Sequence, residues 1–221
     1  MDWDFLVTDM MPALNQGLLV SLALILPSSI CGLLVGIGIG ISRAFGSPWV
    51  SRLAKWYAMI FRGTPLVVQL FVLYFGLPNL GIYLEPYWAA VLGFTLCSGA
   101  YHSEYIRGGL LSIKRGQVLA ATSMGFSTWK TMSCIVIPQA LRRALPGCGN
   151  ELIYLIKYSS LAYIITCIEL TGEGKVLASR TFRFTEVFMI VGAYYLVLVT
   201  LATIGLQKLE KRLAVPGFGL R

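Results

Sequence analysis

The hydrophobic positions of this chain gather in long unbroken runs rather than in short periodic patches. Residues 17–41, 63–84 and 187–207 contain no charged side chain, and 86–102 stays apolar until Glu104 and Arg107. A fifth run, 149–168, is interrupted by Glu151 and Lys157. About 20 apolar residues carry a helix across a hydrocarbon core about 30 Å thick, so the pattern predicts an all-α membrane protein with five transmembrane helices. The connection 108–147 is different: Gly116 and Gly125 bracket 117–124, Ser127 suits a helix N-cap, and the apolar run 131–141 is too short to span. Two short helices separated by a turn are predicted there, the second running towards Pro138. Their apolar side chains need a covering surface, which predicts docking of a soluble partner.

Composition agrees. Of the 221 residues, 57% are hydrophobic and 13% charged, about half the charged fraction of an ordinary soluble domain. A net charge of +8 would suggest nucleic acid if the cations formed one patch, but they alternate between connections. Arg43, Arg52, Lys55 and Arg62 follow the first run; Lys114, Arg115, Lys130, Arg142 and Arg143 follow the third; Lys208, Lys211, Arg212 and Arg221 follow the fifth. The other connections hold Asp2, Asp4, Asp9 and Glu85, then a predicted loop where Glu169, Glu173 and Glu186 face Lys175, Arg180 and Arg183. The positive-inside rule then places the N-terminus outside and the C-terminus in the cytoplasm, with the lipid bilayer and not nucleic acid as the partner. The five cysteines lack C-x-x-C spacing, which argues against a disulfide framework or a metal site. The first ten residues carry acids and no cation, unlike a cleavable signal peptide.

Several side chains are candidates for chemistry. Gly32, Gly36 and Gly40 recur every four residues inside the first run, a spacing that permits close helix packing. There is no Walker A sequence, so ATP hydrolysis on this chain is not expected. Ser98 and His102 share a helical face, and with Glu104 they define a competing reading as an intramembrane hydrolase; an ATP-independent channel is another. Glu104 and Arg107 are three apart and can pair or line a path. Lys157 lies near the middle of its run, followed by Tyr158, Ser159 and Ser160. An ammonium at that depth calls for a carboxylate, carbonyl oxygens or a polar cavity, and Glu151, six residues away, sits on another face.

Particular segments also resemble a known family. Asn15-Gln16-Gly17-Leu18-Leu19-Val20-Ser21-Leu22, Phe61-Arg62-Gly63-Thr64-Pro65-Leu66-Val67-Val68-Gln69-Leu70, Gly99-Ala100-Tyr101, Glu104-Tyr105-Ile106-Arg107-Gly108-Gly109 and Leu145-Pro146-Gly147-Cys148-Gly149-Asn150-Glu151-Leu152 are similar to the permease subunits of bacterial ABC importers for polar amino acids. That group includes histidine, glutamine, glutamate, arginine and cystine systems. The likeness runs from about residue 14 to 213 and implies a type I importer permease fold in the bacterial inner membrane, the whole chain forming one permease domain. Ala120, Ala121, Gly125, Ile135 and Pro138 keep the spacing of the general importer signature, with Leu119 where a Glu is usual and Ile137 where a Leu is usual.

The resemblance implies that 112–143 carries the coupling segment, with Ala120, Ala121, Gly125, Phe126, Ile135 and Pro138 facing an ATP-binding subunit. It also implies two such ATPase copies, which hold ATP and Mg while this chain holds no cofactor. A second permease subunit, identical or related, and an extracytoplasmic amino-acid-binding protein complete the assembly. The candidate substrate path is Thr64, Gln69, Tyr101, Glu104, Arg107, Lys157, Tyr158, Ser159 and Ser160. Related permeases often carry Asp where this chain has Tyr158, so the expected substrate is a neutral or acidic polar amino acid, or cystine.

Overall fold

The computed structural model describes residues 3–213, and among them the chain is helical apart from short connections, with no strand. Helix α1 (Met11–Phe45) extends a π-helical turn at Phe5–Met10. The two make one 41-residue helix, Phe5–Phe45, about 60 Å long at 1.5 Å per residue. Then follow α2 (Pro48–Gly63), α3 (Leu66–Phe71), α4 (Pro86–Leu111), α5 (Arg115–Ser123), α6 (Thr128–Thr131), α7 (Ile137–Tyr158), α8 (Leu170–Thr181) and α9 (Phe184–Leu213).

The buried positions of α1 are Leu14, Gly17, Ser21, Leu24, Ile25, Ser28, Gly32, Gly36 and Gly40, a stripe with helical period. The opposite face exposes Leu19, Leu26, Ile30 and Leu34. One face therefore packs on protein while an apolar face turns outward, an arrangement suited to lipid and not to water. Pro27 lies inside this helix and has no N–H to give to the Ala23 carbonyl. The Tyr87 hydroxyl, at the start of α4, donates to that carbonyl at 3.0 Å. Tyr87→Phe is therefore expected to cost about 1 kcal/mol or more, because the carbonyl is left without a donor. The check is a lower thermal midpoint in detergent at unchanged helix content.

Helix α4 is the central element, packed against α1, α2, α3 and α7. One core at mid-length gathers Leu24, Leu70, Phe94, Leu155 and Ile165. A second, at the N-terminal end of α1, joins Phe5, Met10 and Leu14 to Leu170, Val187 and Val191. A third, at the opposite end, joins Ile106 and Leu110 of α4 to Val136, Ala140 and Ala144.

The run 63–84 is not one straight helix. The helix Pro48–Gly63 and the run Leu66–Leu80 meet at an angle of 104°. Pro65 bars the residue before it from helical backbone, and Thr64 is accordingly extended at φ −110° and ψ 143°. The basic connection after the first run is thus largely the helix α2.

The predicted short helix from Ser127 does not end at Pro138. It continues as Thr128–Ile165, and a π-helical turn at Met132–Val136 carries the backbone past the donor that proline lacks. This helix stops three residues before the expected end of the 149–168 span. Thr166 adopts left-handed backbone at φ 63°, and α8 leaves at 52°. Helix α8 occupies much of the predicted loop, and Glu169 is fully buried rather than surface-exposed.

Among the described residues, Phe5–Phe45 and Phe184–Leu213 are each long and apolar enough to cross a membrane, and counting the two bent pairs as single spans raises the number to four. Helix α4 has 26 residues but carries His102, Glu104 and Arg107. It can be less apolar because neighbouring helices surround it.

Candidate translocation path and coupling surface

The glycines of α1 let α4 approach closely. A Cβ on Gly32 would come within 3.0 Å of the Ser98 Oγ, one on Gly40 within 2.9 Å of the Ile106 Cβ, and one on Gly36 would overlap the His102 Cβ. Beneath this contact, His102 Nδ1 lies 3.0 Å from the Ser98 Oγ and 2.8 Å from the Ser98 carbonyl oxygen. Both residues are buried. Ser98 and His102 do meet, but the ring nitrogen is engaged with the helix backbone and α1 covers the pair. Glu104 turns away from them into an ion-pair cluster.

That cluster lies at the C-terminal ends of α1 and α4. The Glu104 carboxylate accepts from Arg43 at 2.9 Å and from Arg107 at 3.2 Å, and it also pairs with Arg62. Arg43 donates to the Ser103 hydroxyl as well, at 3.3 Å, while the Arg62 guanidinium lies 5.6 Å from the Tyr101 ring centre. Glu104 stands beyond the apolar run of α4. Three guanidinium groups thus surround this one carboxylate. The Glu104–Arg107 pair was visible at i,i+3 spacing; Arg43 and Arg62 join it through the tertiary fold.

Thr64 and Gln69 form a separate group at the α2–α3 bend. The Gln69 side-chain amide reaches the Phe61 carbonyl at 2.8 Å, the Thr64 carbonyl at 3.1 Å and the Thr64 hydroxyl at 3.0 Å, bridging carbonyls that the broken helix leaves without backbone donors.

Around α7 the buried carboxylate is Glu151, whose relative exposure is 3%. No hydrogen bond reaches it among the described residues. It lies in electrostatic range of Cys97, Tyr101, Tyr105, Cys148 and Tyr158, so two of the candidate path residues, Tyr101 and Tyr158, share its surroundings. Glu151 was absent from the candidate path, although a charge within an apolar run was a usable signal. Lys157, expected at depth with a polar partner or a polar cavity, is exposed along this chain, its ammonium 4.3 Å from the centre of the Tyr154 ring. Tyr154 in turn stacks on Tyr158. Ser159 and Ser160 donate to the Ile156 and Lys157 carbonyls at 2.8 and 2.6 Å.

Buried Glu169 has a different character. It caps α8 by accepting from the Thr171 and Gly172 backbone N–H groups at 3.0 Å each, and it also accepts from the Ser21 hydroxyl at 3.3 Å and the Tyr195 hydroxyl at 2.9 Å. Four donors satisfy the carboxylate and tie α1, α8 and α9 together.

Helix α5 ends in a Schellman turn: the Phe126 N–H donates to the Ala121 carbonyl at 3.1 Å and the Gly125 N–H to the Thr122 carbonyl at 2.9 Å. Gly125 has φ +77°. The Ser127 hydroxyl then accepts from the Lys130 N–H at 3.3 Å and caps the next helix. Ala121 is buried, Phe126 and Ile135 are half-buried, and Ala120 and Pro138 are exposed. Beside them Leu119, Met124 and Trp129 stand out with exposures of 66, 70 and 79%. Leu119, at the usual Glu position, therefore adds to an apolar protruding face.

Comparison with known proteins defines a helical transport component rather than a hydrolase. The chain belongs to the family described as binding-protein-dependent transport system inner membrane component, which matches residues 32–215, and it is a permease subunit of an amino-acid ABC importer. It is 34% identical over 216 residues to the glutamine transport system permease protein GlnP of Escherichia coli (strain K12), covering 97% of this chain and 98% of that protein. It is 38% identical to the octopine transport system permease protein OccM of Rhizobium radiobacter, over 84% of this chain and 80% of that protein. It is 35% identical to the arginine transport system permease protein ArtQ of Bacillus subtilis (strain 168), over 96% and 98%. Among solved structures, an amino acid ABC transporter with histidines superposes with a TM-score of 0.88 at 32% identity, covering 96% of this chain and all of that one. The fold is that of a type I ABC importer permease.

Proposed function

We propose that this chain crosses the bacterial inner membrane five times, with its N-terminus outside, and forms half of the path of an ATP-driven importer. The crossings are Phe5–Phe45, the run 63–84 that follows α2, α4, Thr128–Ile165 and Phe184–Leu213. The gathering of Arg43, Arg62, Arg107 and Arg143 where α1 and α4 end and α7 begins supports a cytoplasmic face there. A second permease, identical or related, completes the path; two ATP-binding subunits dock on 112–143 and supply ATP and Mg; an extracytoplasmic binding protein delivers substrate. The permease itself holds no cofactor. Closure of the ATPase pair moves the docked α5 turn, and the rigid helix beginning at Thr128 transmits that movement to the path.

The observation that carries the substrate side is Glu151, a buried carboxylate without a protein donor, placed among tyrosines. An α-ammonium group, common to all amino acids, would satisfy it. Tyr158 in place of an acid supports a neutral or acidic polar amino acid, or cystine, over a cationic one. The test is competition by individual amino acids for uptake into vesicles containing the purified complex. Polar neutral or acidic amino acids are expected to compete, and the shape-preserving Glu151→Gln is expected to raise KM for uptake at least tenfold, the scale of a lost charged hydrogen bond. Failure of every polar amino acid to compete would refute the substrate class.

A further inference from the structure

We propose that the pocket between α1, α2 and the end of α4 binds the headgroup of an anionic phospholipid, with α2 lying in the membrane–water interface. The inference rests on the membrane placement above. Helix α2 has three distinct faces. Ala54 and Ala58 are buried, on the side that packs against α1 and α4. Trp49, Leu53, Trp56 and Ile60, spaced four, three and four residues apart, form an apolar stripe with exposures of 73, 69, 53 and 50%. Lys55 and Arg62, seven residues apart, share the remaining face. A helix with aromatic and apolar residues on one face and cations beside them is built to lie in the interface. The bend agrees: at 104° to Leu66–Leu80, α2 lies close to the membrane plane when that run follows the normal.

The pocket beside this platform has a volume of about 350 Å³ and is lined by Arg43, Lys55, Met59, Arg62 and Glu104. Three cations face one carboxylate, and Lys55 makes no ion pair among the described residues. The excess is positive at headgroup level, next to a stripe that acyl chains would cover. A phosphodiester without a balancing ammonium, as in phosphatidylglycerol, fits that charge, and a zwitterionic headgroup does not.

The test uses the delipidated complex of permease and ATPase in detergent, titrated with phosphatidylglycerol or phosphatidylcholine of the same acyl chains, with bound lipid counted by native mass spectrometry. Phosphatidylglycerol is expected to be retained in preference, and Lys55→Gln to lower that preference about fivefold, the effect of one cation near an anionic headgroup. Trp56→Ser is expected to weaken retention of both lipids. Equal phosphatidylglycerol retention by the wild type and Lys55→Gln would overturn the site. Displacement of the lipid by glycerol 3-phosphate alone would overturn the lipid as occupant, and disulfide-linked permease dimers through Leu53→Cys would assign the stripe to a second copy. Retention of neither lipid by any variant would strike at the membrane placement itself.

Discussion

Gly125→Asp is expected to insert and fold normally yet to lose at least tenfold in ATP-driven uptake while the partner's ATP hydrolysis continues. The Schellman turn needs left-handed backbone at this position, and a side chain there costs about 1 kcal/mol. Nothing lies within 4 Å of the site where a Cβ would stand, so the permease itself can accommodate the substitution. The loss would come from outside: a carboxylate and its water on a face made of Leu119, Met124 and Trp129 would have to be desolvated on docking. Gly125→Ala, which adds strain without charge, should fall between. Uptake and ATPase rates measured on the same vesicles separate uncoupling from misfolding, and normal uptake by Gly125→Asp would remove Gly125 from the coupling face.

Gly36→Val is expected to abolish accumulation of folded permease, while Gly38→Ala, two residues away, leaves it near wild-type level. At Gly36 even the first side-chain carbon overlaps the His102 Cβ and comes within 3.1 Å of the Gly99 carbonyl oxygen, whereas at Gly38 nothing lies within 4 Å. Relief at Gly36 requires α1 and α4 to separate, which would open the packing around Ser98, His102 and Ser103. Overpacking in a core costs about 1–3 kcal/mol when side chains can yield, and here the obstruction includes backbone. Membrane yield and the thermal midpoint in detergent read the difference. Equal yields of the two variants would contradict the close α1–α4 contact.

The sequence revealed what depends on neighbouring residues in the chain. The spacing of Gly32, Gly36 and Gly40, the Ser127 cap and the Glu104–Arg107 pair could all be seen from positions three or four apart, and the apolar runs marked most of the long helices. Features assembled from distant segments were hidden. Glu104 meets Arg43 and Arg62 across α1 and α2, and Glu169, read as a loop charge, finds its donors on Ser21 and Tyr195. The apolar run around Lys157 says nothing about which face of the helix the neighbours leave open, and along this chain Lys157 is exposed. The bend at Thr64 was missed although Pro65 announced it: hydropathy averaged over 63–84 is blind to one residue forced out of helical backbone. The α2 stripe is hidden for the opposite reason, since Arg52, Lys55 and Arg62 lower the hydropathy of a segment whose apolar stripe lies on one face.

The most direct measurement is solute accumulation in sealed vesicles carrying the purified permease–ATPase complex and the binding protein, compared with and without ATP. Accumulation against a gradient that requires ATP, is lost in Gly125→Asp and is competed by polar amino acids is the expected result. Equal solute entry without ATP would make the chain a channel and contradict its role as the moving partner of an ATPase.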